Sequence, residues 1–205
     1  MRGDPPETAG PFPGDGSNGP NVLNQLGVVR SDIRSSFAGL SGTAQGVPLS
    51  VTLKLVALQS GCAPAAGSAM YAWHCDRAGL YSLYSAGVTN QNYLRGVQES
   101  DTLGELTFVT VFPGCYAGRW THVHFEVYPT LAANFANEIA TSQLALPASA
   151  CTEAYATAGY ESSAVNLQRV SLATDNVFRD GADRQLASLT GSAASGFSAM
   201  LTVAV

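Results

Sequence analysis

Apolar residues recur at every second position in several short stretches of this chain. Between Val51 and Ala57 apolar residues alternate with polar or smaller ones, which is the period of a strand with one buried face. Turn-forming pairs such as Pro113-Gly114 separate runs of this kind. The pattern therefore predicts an all-β fold, an antiparallel β-sandwich with short helices. The predicted strands are residues 48–60, 69–74, 105–112, 120–128, 165–173 and 196–205.

The rest of the chain has weaker patterning. Residues 22–37 have a mixed pattern that predicts a turn or two of helix, and residues 131–140 predict a short helix between two strands. Residues 1–21 are rich in Pro and Gly, so we expect an extended arm that is laid over the domain or left mobile. We therefore divide the chain into an N-terminal arm with a short helical segment, residues 1–47, and a β-sandwich domain that would carry any catalytic site, residues 48–205.

Composition and charge narrow the possible functions. The chain has 205 residues, 46% of them hydrophobic, which suffices for one core and predicts a single globular domain. Its formal charge is −5, with only ten Lys and Arg residues. We expect no nucleic-acid partner, because neutralising phosphates requires clustered basic residues. No segment approaches the roughly 18 apolar residues that a membrane span needs, so we expect none.

Cysteine usage and charge content bear on the compartment. The chain has an even set of cysteines without zinc-type spacing, namely Cys62, Cys75, Cys115 and Cys151. The set permits three disulfide pairings or four reduced thiols. A charged fraction of 12% and an Arg directly after Met1 would suit an exported protein whose leader is removed. We therefore expect an exported or extracellular protein, with a cytoplasmic location as the alternative.

Two of the three histidines form the pair His122-Val-His124 within a predicted strand. Side chains at i and i+2 of a strand share a face, so both imidazoles project together. Imidazole binds several transition metals, although a polar outer face is the simpler explanation of such a pair. Pro113-Gly114 would turn Tyr116 back toward this strand. Tyr116 is therefore a candidate third ligand if a trivalent cation stabilises its phenolate, and otherwise a packed tyrosine.

These residues belong to a longer pattern that resembles the intradiol ring-cleavage dioxygenases. The resemblance extends from about residue 47 to residue 144, and the opening Thr8-Ala-Gly-Pro11 is also similar to the start of many family members. The motifs that carry it are Ala72-Trp73 followed by Tyr81, Leu94-Arg95-Gly96, Asp101-x-x-Gly104, Phe108-x-Thr110, Phe112-Pro113-Gly114-x-Tyr116 and Arg119-x-x-His122-x-His124-Phe125.

The resemblance implies a non-haem Fe(III) enzyme on a β-sandwich. Its substrates would be a catechol and O2, and ring cleavage between the two hydroxylated carbons would give a cis,cis-muconate-type product. The implied iron ligands are Tyr81, Tyr116, His122 and His124. Tyr81 is preferred because it follows Trp73 by eight residues, as in the family, and Tyr84 is the fallback. Tyr116 would also act as a base when the substrate displaces it.

Further residues have implied roles with simpler alternatives. Arg119 matches the family's arginine beside the substrate ring, where it would stabilise developing negative charge, and the alternative is a surface salt bridge. Gln143 matches a glutamine near the active site and would orient Arg119 or the substrate, unless it is an ordinary strand residue. His74 is a rival ligand with a pocket-wall or hydrogen-bonding role as the alternative. Glu126 is either an acceptor for an imidazole or a solvated strand end.

The four cysteines lie where a disulfide could brace the implied site. Cys75 and Cys115 each lie near a proposed tyrosine ligand, so one possible arrangement pairs these two and joins Cys62 to Cys151. The other pairings and four reduced thiols fit the sequence equally well.

The chain also departs from the family. Cytosolic members carry a helical N-terminal segment that forms a dimer and covers part of the pocket, whereas only about 47 mostly Pro- and Gly-rich residues precede the sandwich here. We therefore expect a monomer or weak homo-oligomer with a shallower pocket.

Two other functions remain open: a non-catalytic β-sandwich module that binds carbohydrate or a protein partner, and a zinc hydrolase built on the histidine pair.

Overall fold

A computed structural model describes residues 5–133, 135 and 137–205 of the chain. It contains nine strands and two α-helices in the described ranges. The strands are β1 (Pro48–Ala57), β2 (Ala63–Pro64), β3 (Ala69–Trp73), β4 (Arg95–Glu99), β5 (Glu105–Val111), β6 (His122–Tyr128), β7 (Ala140–Ala145), β8 (Ser188–Ser192) and β9 (Gly196–Ala204). The helices are α1 (Ala148–Tyr155) and α2 (Glu161–Leu167), and short 3₁₀ helices cover Leu58–Ser60, Leu131–Ala133 and Phe178–Asp180.

The strands form two sheets that pack face to face. One sheet has the order β2-β1-β9-β8, with β5 also paired to β1, and the other has the order β4-β3-β6-β7. All strand pairs are antiparallel except β1 with β9, which is parallel. The predicted all-β sandwich is therefore confirmed, with one parallel pair that the alternation of apolar residues does not reveal.

The core lies between the sheets because each strand buries alternate residues. In β1, Val51, Leu53 and Leu55 are at most 1% exposed, and they pack with Phe108 of β5 and Phe125 of β6. Burial of side chains of this size stabilises the fold by about 1.5–3 kcal/mol each. This packing makes β6 a rigid central strand, and β6 is the strand that carries the histidine pair.

The register around β6 places specific neighbours beside the histidines. His124 lies opposite Trp73 of β3 and opposite Gln143 of β7. Residues directly opposite in antiparallel strands share a face of the sheet. Trp73 and Gln143 therefore flank His124 on the face that holds the candidate site.

One strand prediction is wrong. Residues 165–173 are not a strand: α2 ends at Leu167, and turns follow it. Leu167 and Val170 lie three positions apart and pack against a cluster that includes Trp120 and Phe178. That spacing is helical, and a short alternating run does not distinguish it from a strand. The sequence also leaves β2, β4, β7, β8 and α1 unpredicted.

The two helical predictions have different outcomes. The prediction of a turn or two of helix in residues 22–37 is wrong: this segment forms turns and isolated bridges, in which Val29 and Asp32 pair in parallel with Val97 and Val109. The segment 131–140 begins with a 3₁₀ helix at Leu131–Ala133, and β7 begins at Ala140, while residues 134 and 136 of this prediction lie outside the described residues. No helix within the described ranges is long and apolar enough to cross a bilayer.

Candidate metal centre

β6 brings the two histidines into contact on its buried face. His122 and His124 are each 2% exposed, and their Nε2 atoms lie 3.0 Å apart. The Nδ1 of His122 lies 2.5 Å from the backbone oxygen of Trp120. A carbonyl only accepts hydrogen bonds, so Nδ1 carries the proton and Nε2 presents a lone pair toward the cluster.

Two tyrosines complete the cluster from separate loops. The Oη of Tyr81 lies 3.3 Å from His122 Nε2, and the Oη of Tyr116 lies 3.4 Å from the same nitrogen. The two phenol oxygens are 3.5 Å apart. The structure therefore brings together all four side chains that the sequence proposes as ligands. Tyr84, the fallback, lies elsewhere: its hydroxyl accepts from the Gly14 N–H and donates to Asn18.

Local turn chemistry explains why these loops meet. Asp76 Oδ1 accepts from the backbone N–H groups of Ala78 and Leu80, which bends the chain ahead of Tyr81. A side chain at Gly114 would place its Cβ 2.7 Å from the backbone oxygen of Asp76. The absence of a side chain at Gly114 thus lets the Tyr116 loop lie directly against the Tyr81 loop.

Aromatic rings support the cluster from behind. The Trp73 ring stacks on His124 with a centroid distance of 4.9 Å and an interplanar angle of 5°. The Trp73 ring also stacks on the Tyr71 ring, again with a centroid distance of 4.9 Å. Stacked rings resist rotation of the imidazole, so His124 is held in one orientation.

In the protein alone the four side chains are neutral at pH 7. Burial lowers the pKa of His122 to about 3 and that of His124 well below its usual value, with neighbouring positive charge adding to the effect. Burial raises the pKa of Tyr81 well above 10 and also raises that of Tyr116. A nearby cation is the kind of charge that would convert both phenols to phenolates.

The donor set fits a transition-metal cation. Ligand atoms about 2.1 Å from one ion lie roughly 3.0–3.4 Å from one another, close to the spacings of this cluster. Within the described residues no group of three or more His, Cys, Asp or Glu side chains could hold a metal. A metal at this position would therefore depend on the phenols of Tyr81 and Tyr116.

Arg119 lies beside the cluster in a fixed orientation. Its Nε donates to Asp175 Oδ2 at 2.9 Å, and its Nη2 donates to Gln143 Oε1 at 2.5 Å. The side chains of Arg119 and Asp175 are 14% and 0% exposed, so Asp175 is fully buried and Arg119 is mostly buried with one part reached by solvent. The alternative of a surface salt bridge is therefore wrong. Gln143 is not only a strand residue, because its side chain also accepts a hydrogen bond from Arg119.

The N-terminal arm is laid over the domain and roofs the cluster. The Phe12 ring lies 4.8 Å from the Tyr81 ring, and Gln143 Nε2 donates to the backbone oxygen of Thr8 at 2.9 Å. A Cβ at Gly10 would lie 3.2 Å from Cε1 of His124. The cluster is therefore not left uncovered: residues 8–12 of the arm lie against Tyr81, His124 and Gln143.

Arg95 fastens this arm to the Tyr81 loop. Its guanidinium is fully buried and donates to the backbone oxygens of Phe12, Pro13 and Ser82, to Ser82 Oγ and to Tyr71 Oη. All five distances lie between 2.6 and 3.0 Å. Arg95 therefore links the arm, the loop that carries Tyr81 and the ring that stacks on Trp73.

The remaining candidates lie outside the cluster. Both ring nitrogens of His74 have other partners, the Cys75 backbone oxygen and Thr110 Oγ1, each at 2.7 Å. His74 therefore has the hydrogen-bonding role. Glu126 is neither solvated nor bonded to an imidazole: it is 3% exposed and accepts from the Tyr128 hydroxyl at 2.6 Å.

The cysteines form no disulfide. All four are free thiols, so neither member of the suggested arrangement, Cys75 with Cys115 or Cys62 with Cys151, is formed. Cys75 and Cys115 instead donate to the backbone oxygens of Gly114 and Arg119. The loops that carry the tyrosines are therefore braced by hydrogen bonds and close backbone packing.

Sequence reasoning missed two residues of the site. Asp175 lies 56 positions from its partner Arg119, in a polar turn without a recognisable motif. Arg95 stands in the quoted motif Leu94-Arg95-Gly96, but nothing in the sequence assigns it a contact. The one available signal is general, since an arginine near a buried strand requires acceptors from other segments.

Comparison with solved structures defines the fold class. The chain has the fold of the intradiol ring-cleavage dioxygenases, as the resemblance in its motifs implies. No protein-family model and no curated protein matches the chain.

Three solved structures illustrate the likeness. An intradiol ring-cleavage dioxygenase from Tetranychus urticae is 23% identical with a TM-score of 0.76, covering 100% of this chain and 94% of its own. The dioxygenase domain of a dioxygenase carbohydrate-binding protein fusion from Streptomyces sp. SirexAA-E is 20% identical with a TM-score of 0.64, covering 100% and 98%. A 3-chlorocatechol 1,2-dioxygenase from Rhodococcus opacus is 16% identical with a TM-score of 0.61, covering 99% and 72%.

Proposed function

We propose that this chain is an intradiol dioxygenase that cleaves a catechol between its two hydroxylated carbons with O2 to give a cis,cis-muconate-type product. The observation that carries the proposal is the convergence of Tyr81, Tyr116, His122 and His124, with donor atoms 3.0–3.5 Å apart. The shared fold supports it, because the structures of that fold named above include catechol-cleaving enzymes.

The four side chains would hold a non-haem ferric ion. Two phenolate oxygens are hard anionic donors that favour Fe(III), and two neutral imidazoles complete the set. When bound, the ferric ion supplies Lewis acidity and makes a catecholate reactive toward O2. The two phenols argue against the zinc hydrolase, since a hydrolase of that kind would require only the histidines and one further ligand.

The two tyrosines differ in access. Tyr81 is 1% exposed and lies under Phe12, whereas Tyr116 is partly exposed. Tyr116 is therefore the residue that can move when substrate enters, and its Oη can accept a proton from a catechol hydroxyl. Tyr81 and the two histidines stay fixed by their burial.

Arg119 would act on the aromatic ring of the substrate and would not bind the metal. Its guanidinium is held by Asp175 and Gln143 and is largely buried, so its charge is weakly screened by water. A fixed positive charge beside the ring stabilises negative charge that develops on a ring carbon. Substrate would enter from the side of Tyr116 and Arg119, the two partly exposed members of the site.

The experiment combines metal analysis, a visible spectrum and oxygen uptake. We expect iron in the purified protein, a red to brown colour from tyrosinate-to-iron charge transfer, and oxygen consumption with a panel of catechol, protocatechuate, hydroxyquinol and alkyl-catechols. Tyr116→Phe should alter the colour and reduce turnover by about 100-fold or more, since base catalysis contributes about that much. Tyr84→Phe is the matched control, because Tyr84 lies outside the cluster; it should leave both unchanged.

Other outcomes would select the alternatives. Iron binding without oxygen uptake on any catechol would favour the non-catalytic binding module. A colourless protein that contains zinc would favour the hydrolase. A Tyr116→Phe variant with full activity would show that Tyr116 does not have the proposed role.

A further inference from the structure

Asp175 is the most completely bonded carboxylate next to the candidate site. It is fully buried and lies in the turn that follows α2. Its Oδ2 accepts from the Trp120 backbone N–H at 2.6 Å and from Arg119 Nε at 2.9 Å. Its Oδ1 accepts from the backbone N–H groups of Val177 and Phe178 at 2.8 and 3.1 Å. Four donors therefore fix both oxygens of one carboxylate.

These bonds also determine the orientation of Arg119. One edge of the guanidinium is fixed by Asp175 at Nε, and Nη2 is fixed by Gln143. The Phe178 ring lies 6.0 Å from the guanidinium carbon and limits its movement. Two bonds at different nitrogens define the plane of a rigid fork and its rotation in that plane. Arg119 is thus oriented before any substrate binds.

The ion pair leaves much of the positive charge of Arg119 available. Three backbone N–H groups share the negative charge of Asp175, so Arg119 is only one of its four partners. Burial raises the pKa of Asp175, whereas the hydrogen bond from Trp120 and the charge of Arg119 lower it. The lowering effects together are larger, so the pKa of Asp175 lies below its usual value. The carboxylate therefore stays ionised near neutral pH.

We propose that Asp175 is the positioning residue that holds the Arg119 guanidinium in place for the reacting ring, an inference that rests on the proposed function. A purely structural residue would stabilise the turn at residues 175–178 without affecting turnover. A positioning residue would affect turnover while the fold and the metal content remain intact. The two possibilities therefore differ in measurable ways.

The first test compares single variants. Asp175→Asn keeps the size of the side chain but removes its charge, and its amide nitrogen would face two of the four donors in place of an acceptor oxygen. We expect kcat to fall by about 10- to 100-fold with iron content unchanged and KM changed less than kcat. Asp180→Asn is the matched control, an exposed aspartate five residues further along the chain, and we expect its activity to stay within about 2-fold of the original. Normal kcat in Asp175→Asn beside a strongly impaired Arg119→Ala would overturn the proposal.

The second test uses chemical complementation. In Arg119→Ala, ethylguanidinium should bind the vacated space against Asp175, raise the thermal midpoint and restore activity by about 10-fold or more. Neither effect should occur in the double variant Arg119→Ala, Asp175→Asn. Equal rescue of both proteins would overturn the proposal. The thermal shift does not require turnover. It therefore tests whether Asp175 binds a guanidinium at this position even if the proposed function fails because no catechol is cleaved.

A third variant covers the case in which Asp175→Asn does not fold. Arg119→Lys keeps the positive charge near Asp175 but lacks the fork that bonds Asp175 and Gln143 together. We expect a folded protein with kcat reduced about 10-fold or more. Full activity of Arg119→Lys would show that orientation of a fork by Asp175 is not required and would overturn the proposal.

Discussion

Replacing Arg95 by Met tests whether one buried guanidinium fastens the N-terminal arm over the site. Arg95 is 0% exposed and makes five hydrogen bonds. The five acceptors are three backbone oxygens and two hydroxyls, so its partners in these bonds are all neutral. Methionine fills most of the same volume but satisfies none of these acceptors.

The cost follows from which acceptors keep another partner. Pro13 O still accepts from the Tyr71 hydroxyl, and Ser82 Oγ still donates to Tyr93 O. The backbone oxygens of Phe12 and Ser82 lose the bonds from Nη2. A buried acceptor without a partner costs about 1–3 kcal/mol, and less where water can reach it, as at the part-buried Phe12. We therefore expect Arg95→Met to lower the free energy of unfolding by about 2–4 kcal/mol.

Urea unfolding followed by tryptophan fluorescence measures this loss. Arg34→Met is the matched control, because the Arg34 side chain is 43% exposed and pairs with a 49% exposed Asp32; it should cost less than about 1 kcal/mol. Gly14→Ala would disturb the contact between Arg95 and the arm from the other side, because a Cβ at Gly14 would lie 2.8 Å from Arg95 Nη1. The reasoning is refuted if Arg95→Met costs no more than Arg34→Met and the arm of both variants is equally resistant to proteolysis.

Three further predictions concern pH, thiols and loop packing. Burial lowers the pKa of His74 to about 4 from 6.5, so the stability that neutral His74 contributes is complete above pH 6.5 and is lost as the pH falls toward 4. Between pH 7 and 5 the free energy of unfolding of the original protein should therefore fall by about 2 kcal/mol more than that of His74→Gln, as measured in urea titrations. Cys62 is partly exposed and the other three cysteines are buried, so a thiol reagent should modify one cysteine in the native protein and four in denaturant. Gly114→Ala would place Cβ within 2.8 Å of three backbone atoms and should cost about 1–3 kcal/mol in urea and weaken iron binding.

Each of these has a result that contradicts it. Equal pH dependence of the original protein and His74→Gln would mean that His74 is not held neutral by burial. Fewer than four reactive thiols in denaturant would indicate a disulfide. For the loop packing, Gly118→Ala is the comparison, because its φ of +83° strains any side chain there while its Cβ meets no atom within 4 Å. It should cost about 1–2 kcal/mol from backbone strain and leave iron binding unchanged, so equal losses of iron binding in both variants would exclude a specific clash at Gly114.

The strands that the sequence predicts well are those whose pattern is local. β1 alternates over ten residues because one of its faces is buried against the other sheet, and that alternation is visible without any knowledge of the partner strands. α2 fails for the opposite reason. Val165 is 48% exposed, so the apparent alternation from 165 to 173 mixes an outward residue with the inward Leu167 and Val170. β4 begins with Arg95-Gly96, which lacks the β-branched or aromatic residues that mark a strand.

The sequence by itself determined that His122 and His124 share a face, because the two-residue period of a strand is a property of the local backbone. It also supplied the set of ligand-type residues through a resemblance of motifs. Only the tertiary structure decided that Tyr81 reaches the histidines while Tyr84 bonds the arm, since the direction of that loop depends on Asp76 and on its contact at Gly114. The partners of Arg95 and Arg119 were likewise decided by folding, because buried guanidinium groups are satisfied by acceptors that lie 13 to 83 residues away in the chain.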